Sequence, residues 1–140
     1  MAAAAFFLSS SMWADKAPEV GTKAPEIETI SGEYVGNDVD SETKTKIISF
    51  WNPKKPESRI SNRNLSRQYG KNSDETIEFI SICTDSDEDL FKEIVKIDGL
   101  DVENTYSYYE IVPRVFKDYG VTQYPKAFMI SPEGNILNIL

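Results

Sequence analysis

Two short apolar runs constrain this chain more than anything else in it: Lys46-Ile47-Ile48-Ser49-Phe50-Trp51-Asn52 and Ile77-Glu78-Phe79-Ile80-Ser81-Ile82-Cys83. Both are rich in β-branched and aromatic residues, and the first stops at Pro53, so each reads as a strand covered on both faces. A helical pattern follows each run. After the break at Pro53 and Pro56, residues 57 to 69 place Ile60, Leu65 and Tyr69 at roughly helical spacing. Glu57 comes early, Arg63 and Arg67 late, and Gly70 ends the segment, while Pro56 falls in the first turn. Residues 85 to 98 predict a second helix with Leu90, Phe91, Ile94, Val95 and Ile97 on its apolar side and Gly99 as its stop. Strand, helix, strand, helix is the signature of parallel strands joined by right-handed crossovers, and therefore of an α/β fold.

The flanking segments are less regular. Residues 15 to 46 are polar and punctuated by Pro18, Gly21, Pro25, Gly32 and Gly36. Short edge strands or a hairpin around Ile27-Glu28-Thr29-Ile30 and Tyr34-Val35 fit them best. Residues 100 to 112 are irregular and carry Tyr106, Tyr108 and Tyr109. A short helix over 113–119, ended by Gly120, leads to a strand over 126–131, a hairpin turn at 132–135 and a last strand over 136–140. The run Ala2-Ala3-Ala4-Ala5-Phe6-Phe7-Leu8, followed by Ser9 to Ala14, resembles the apolar core and cleavage zone of a signal peptide, although no Lys or Arg precedes it. The expected organisation is a leader or tail over 1–14 and one domain over 15–140, exported to the periplasm or cell envelope. No other stretch approaches the roughly 20 apolar residues of a membrane span.

Charge and reactive residues narrow the chemistry. The 140 residues hold 15 Lys plus Arg against 23 Asp plus Glu, a net charge of −8, which would repel a nucleic-acid backbone. There is no His and one Cys, Cys83. Histidine general bases, Ser-His and Cys-His nucleophiles, Cys/His zinc sites and an intramolecular disulfide are thereby removed, and neither a metal nor a cofactor is expected.

Several strings, taken in order, resemble the thioredoxin-like fold. The similarity is to exported thiol-disulfide oxidoreductases of the TlpA/ResA type and, more distantly, to peroxiredoxins (AhpC/TSA-like). Val20-Gly21-Thr22-Lys23-Ala24-Pro25 resembles that family's opening, and Ile48-Ser49-Phe50-Trp51 its strand into the active site. Arg59 resembles the arginine after its second cysteine. Asp118-Tyr119-Gly120-Val121 with Tyr124-Pro125 resembles the segment holding its cis-proline, and Ile130-Ser131-Pro132-Glu133-Gly134-Asn135-Ile136 its closing hairpin. The resemblance implies a central mixed β-sheet flanked by helices, an N-terminal β extension, a cis bond before Pro125, and a C-terminal helix that is missing as the chain is written.

It also implies a degenerate redox motif. Counting from Trp51, the family's CxxC cysteines fall at Lys55 and Ser58, with Pro56 and Glu57 between them. A lysine ammonium at a helix N-terminus has the wrong sign for the dipole, by about 0.3–1 kcal/mol, and a serine hydroxyl cannot replace a thiolate in disulfide exchange. The peroxiredoxin string begun at Pro53 would require a threonine at 57 and a cysteine at 60, where Glu57 and Ile60 stand.

Other candidates are weaker. Cys83 reads first as a small buried hydrophobe, with a reactive or intermolecular thiol as the alternative. Ser58 and Lys55 have the reverse order of an S-x-x-K nucleophile. Lys54, Lys55 and Arg59 form either a small anion site or a solvated cationic rim partly balanced by Glu57. Asp85-Ser86-Asp87-Glu88-Asp89 has the spacing of a calcium loop, but Leu90 and Lys96 stand where that loop needs Gly and Glu, so a helix cap is the better reading. Tyr106, Tyr108, Tyr109 and Tyr124 either line a partner surface or pack on the core. The expected function is a redox-inactive, thioredoxin-like module of the envelope. It would use Lys54, Lys55, Ser58, Arg59, Tyr124 and Pro125 as a face for a protein or a small anionic ligand. The rival is an oxidoreductase or peroxidase working through Cys83.

Overall fold

The two apolar runs form the centre of a five-stranded sheet. The structure, a computed structural model, describes residues 18–36, 43–70, 74–121 and 126–140. Strand β1 is Thr45–Trp51, helix α1 Pro56–Tyr69, strand β2 Ile77–Cys83 and helix α2 Glu88–Ile97. They are followed by the two-residue strand β3 (Thr105–Tyr106), helix α3 (Arg114–Asp118), and strands β4 (Ala127–Ile130) and β5 (Ile136–Ile139). The sheet order is β3-β2-β1-β4-β5. β1, β2 and β3 are parallel, whereas β4 runs antiparallel to β1 and β5 antiparallel to β4. This mixed α/β architecture agrees with the fold expected from sequence. The leader at 1–14, and Tyr124 with Pro125 and its expected cis bond, lie outside the described residues.

Side-chain alternation along β1 and β2 builds two cores. Ile48, Phe50, Ile80 and Ile82 join Val115, Phe116 and Tyr119 of the α3 region with Phe128 and Ile136. The Phe50 ring meets Tyr119 at 4.9 Å and Phe128 at 6.1 Å. On the opposite face Trp51 and Cys83 pack with Phe91, Ile94 and Leu100. Since the chain moves from β1 to β2 to β3 in one direction, right-handed crossovers place α1 and α2 on the same face. The ion pair between Arg59 and Asp98 joins them there.

Two local readings need correction. Ile60 is 46% exposed and Ile97 61% exposed, so neither belongs to the apolar side of its helix. In α1 the fully buried residue is Asn62; Ile60, two positions earlier, points to nearly the opposite side of a 3.6-residue helix. Gly70 does end α1, as the sequence suggests, in an extended conformation where a Cβ would collide with the Ser66 carbonyl oxygen. The N-terminal extension makes isolated bridges rather than edge strands, Lys23 with Asn135 and Thr29 with Ile111, while the hairpin reading holds: Glu28 bridges Tyr34 antiparallel, and the Thr29 and Val35 amides donate to the Glu33 and Ile27 carbonyls. The buried Tyr119 hydroxyl fastens it to the core by donating to the Pro25 carbonyl.

Candidate functional site

The turn between β1 and α1 assembles the motif residues. Asn52 starts it: its side-chain carbonyl accepts from the Lys54 amide at 2.9 Å, and its main-chain carbonyl accepts from the Lys55 amide at 3.1 Å. Lys55 is the N-cap of α1 in extended conformation and makes no side-chain capping bond, since an ammonium has no acceptor. Pro56 follows at the first helical position, where its missing N–H costs nothing. Ser58 turns inward, and its hydroxyl accepts the Asn52 amide at 2.8 Å, closing the turn on itself. Lys54, Lys55, Pro56 and Glu57 are all exposed, whereas Ser58 and Arg59 are half-buried.

Lys54 and Arg59 at this helix start have acidic partners. Lys54 Nζ lies 3.3 Å from Asp85 and 4.0 Å from Asp87. Arg59 donates two bonds to the Asp98 carboxylate, at 3.0 and 2.8 Å. The Asp98 side chain is only 2% exposed. Neither Asp98 nor Asp85 is singled out by the sequence as a partner. An acidic residue at the C-cap of a helix is a usable signal nonetheless, because it opposes the dipole and needs a nearby cation.

The acidic run caps α2. Asp85 accepts from the Asp87 amide at 3.0 Å, and Asp87 accepts from the Leu90 amide at 3.1 Å. Glu88 and Asp89 occupy the first turn. Among the described residues no group of three His, Cys, Asp or Glu side chains is placed to hold a metal.

Cys83 ends β2 fully buried beside Trp51. Its thiol donates to the Asp85 carbonyl at 3.5 Å. Burial, reinforced by the charges of Asp85, Glu88 and Asp87, pushes its pKa up to about 12. At pH 7 such a group is thiolate on the order of once in 10⁵, and in the folded chain the residue is 0% exposed. Tyr106 and Tyr108 pack against the core, with Tyr108 stacked on Phe116 at 5.1 Å. Tyr109 meets Tyr108 edge-on at 5.3 Å and is 55% exposed.

Two hollows are described, of about 870 and 270 Å³, and neither includes any residue from 52 to 59. The larger opens among Arg67, Tyr69, Asp74, Glu78, Asp98 and Asp101.

The order of elements, with a parallel β1–α1–β2 unit inside a mixed sheet that ends in the β4–β5 hairpin, is that of the thioredoxin-like fold. Solved structures agree. A thioredoxin-like protein from Parabacteroides distasonis is 27% identical, with TM-score 0.68 over 89% of this chain and 90% of that one. The thioredoxin domain of a thiol-disulfide oxidoreductase from Bacteroides vulgatus is 20% identical, with TM-score 0.63 over 88% and 89%. A secreted disulfide oxidoreductase from Mycobacterium tuberculosis is 19% identical, with TM-score 0.59 over 83% and 81%. No protein-family model matches the chain, and no curated protein does. Among the described residues no helix is long and apolar enough to cross a membrane.

Proposed function

We propose that this protein is a redox-inactive thioredoxin-like module of the cell envelope that binds a partner through the turn at residues 54–59. One observation carries the reading: the chain's single thiol, Cys83, is fully buried at the end of β2 with its pKa raised to about 12. Thiol-disulfide exchange needs an accessible thiolate and a second sulfur. In the family that the chain resembles, the cysteines occupy the positions of Lys55 and Ser58, and here those positions hold a lysine and a serine already used to bond the Asn52 amide.

Exposed Lys54, Lys55, Pro56 and Glu57 favour a protein partner over a small anionic ligand. Pairing of Lys54 and Arg59 with carboxylates weakens the anion reading further. Tyr124 and Pro125 belong to the same proposed face through the resemblance. Export rests on the leader-like segment 1–14 and on the secreted relative.

Insulin reduction and peroxide consumption test the proposal. Wild type is expected at background in both, and Cys83→Ser the same. Turnover that depends on Cys83 would replace it with the rival oxidoreductase reading.

A further inference from the structure

Between α1 and the sheet lies a polar layer inside an otherwise apolar core. Ser49 and Ser81 stand opposite each other in the β1–β2 register and are 3% and 0% exposed. By alternation they occupy the face that carries Trp51 and Cys83, beneath α1 and α2. Ser81 donates to the Thr105 hydroxyl at 3.5 Å, and Thr105 donates in turn to the Asp101 carbonyl at 2.6 Å. Ser81 therefore keeps acceptor capacity. Above this row α1 packs on β1 and β2. Its inward positions, four residues apart, are Ser58, Asn62 and Ser66, of which Asn62 is 1% exposed.

Neither the nitrogen nor the oxygen of the Asn62 amide finds a hydrogen-bond partner among the described residues, and the buried Trp51 Nε1 on the same sheet face finds none either. Buried amides without a partner are rare, because desolvation takes away water's hydrogen bonds and returns nothing. The two groups offer three N–H donors and one carbonyl acceptor. A water molecule can donate to the Asn62 carbonyl oxygen or accept from its amide N–H groups, with a second site left for a serine hydroxyl, and polar buried sites of this kind hold waters making about three hydrogen bonds each.

We propose that the α1–sheet interface is a buried hydration site, in which Asn62 holds an internal water against the Ser49–Ser81 row. The site lies one helical turn behind Ser58 and is independent of what the exposed turn binds.

Water–protein NOE spectroscopy on the wild-type protein tests this. Cross-peaks with the sign of long-lived water are expected at the Asn62 side-chain amide and at the Ser81 backbone amide. In Asn62→Leu, which fills the space with an apolar group, the Ser81 cross-peak should disappear. Absence of the signal at the Asn62 amide in wild type overturns the proposal. So does persistence of the Ser81 signal in the variant, since the serine hydroxyls then account for it. Should Asn62→Leu not fold, the wild-type signal at the Asn62 amide decides alone.

Discussion

The starts of α1 and α2 occupy equivalent places, each just past the C-terminal end of a buried parallel strand, yet they are built on opposite plans. The α2 start is made for stability: Asp87 caps the Leu90 amide, Asp85 braces the Asp87 amide, and Glu88 and Asp89 face the positive end of the helix. The α1 start has a lysine as N-cap, no side-chain capping bond, and an exposed proline after it. What organises it is the Asn52 turn and the Ser58 hydroxyl, together with ion pairs to the neighbouring helix. Propensity and capping account fully for the first and not for the second. The α1 start is thus organised by its turn and by contacts to the α2 region rather than by a side-chain cap, which is consistent with the binding role proposed for it.

The comparison can be broken most sharply at Arg59. Arg59→Ala strands the Asp98 carboxylate in a nearly dry place, and a loss of about 3 kcal/mol is expected from denaturant unfolding. A loss under about 1 kcal/mol would mean that the α1 start does not depend on α2. The next effect is alkaline. The Cys83 pKa is raised in the folded state, so its contribution is fully present below the unfolded thiol's pKa near 9 and lost as pH climbs to about 12. Tyr119, pushed up by burial, adds to the same loss at the upper end. Wild type should therefore lose roughly 2 kcal/mol more than Cys83→Ala between pH 8 and 10.5, each pKa unit being worth about 1.4 kcal/mol. Parallel pH profiles of the two proteins would contradict the buried assignment.

Smaller effects separate the two helix starts directly. Asp87→Ala should cost about 1 kcal/mol through the lost cap at α2. Lys55→Asn, which supplies a capping oxygen where none exists, should gain about 0.5 kcal/mol. If Lys55→Asn instead destabilises, the lysine is there for the helix after all.

How much of this was legible in the sequence follows from what each pattern depends on. β2 is found residue for residue and β1 shifted by one, because uninterrupted apolar runs between turn residues leave little choice. The N-terminal alternation around Ile27 and Tyr34 folds as a short hairpin about the Glu28–Tyr34 bridge, too brief to count as strands. α1 was found but its inward face was misread. It has few apolar residues, and the position that meets the sheet is Asn62, which hydrophobic periodicity cannot identify. β3, two residues long, gives no periodic signal at all. At the site, Lys55 and Ser58 were located by resemblance and by spacing from Trp51. Their environment was not, since Arg59 and Asp98 are 39 residues apart and meet only through the crossover. The inward turn of Ser58 toward the Asn52 amide is likewise a consequence of the turn, not of the motif.

The central claim is that the thioredoxin-like scaffold is intact while disulfide chemistry is absent at two positions. The double variant Lys55→Cys/Ser58→Cys, assayed for insulin reduction beside wild type and Cys83→Ser, tests it most directly. The account predicts background rates for wild type and Cys83→Ser, and clear turnover once both cysteines are installed. Wild-type turnover that disappears in Cys83→Ser would contradict it.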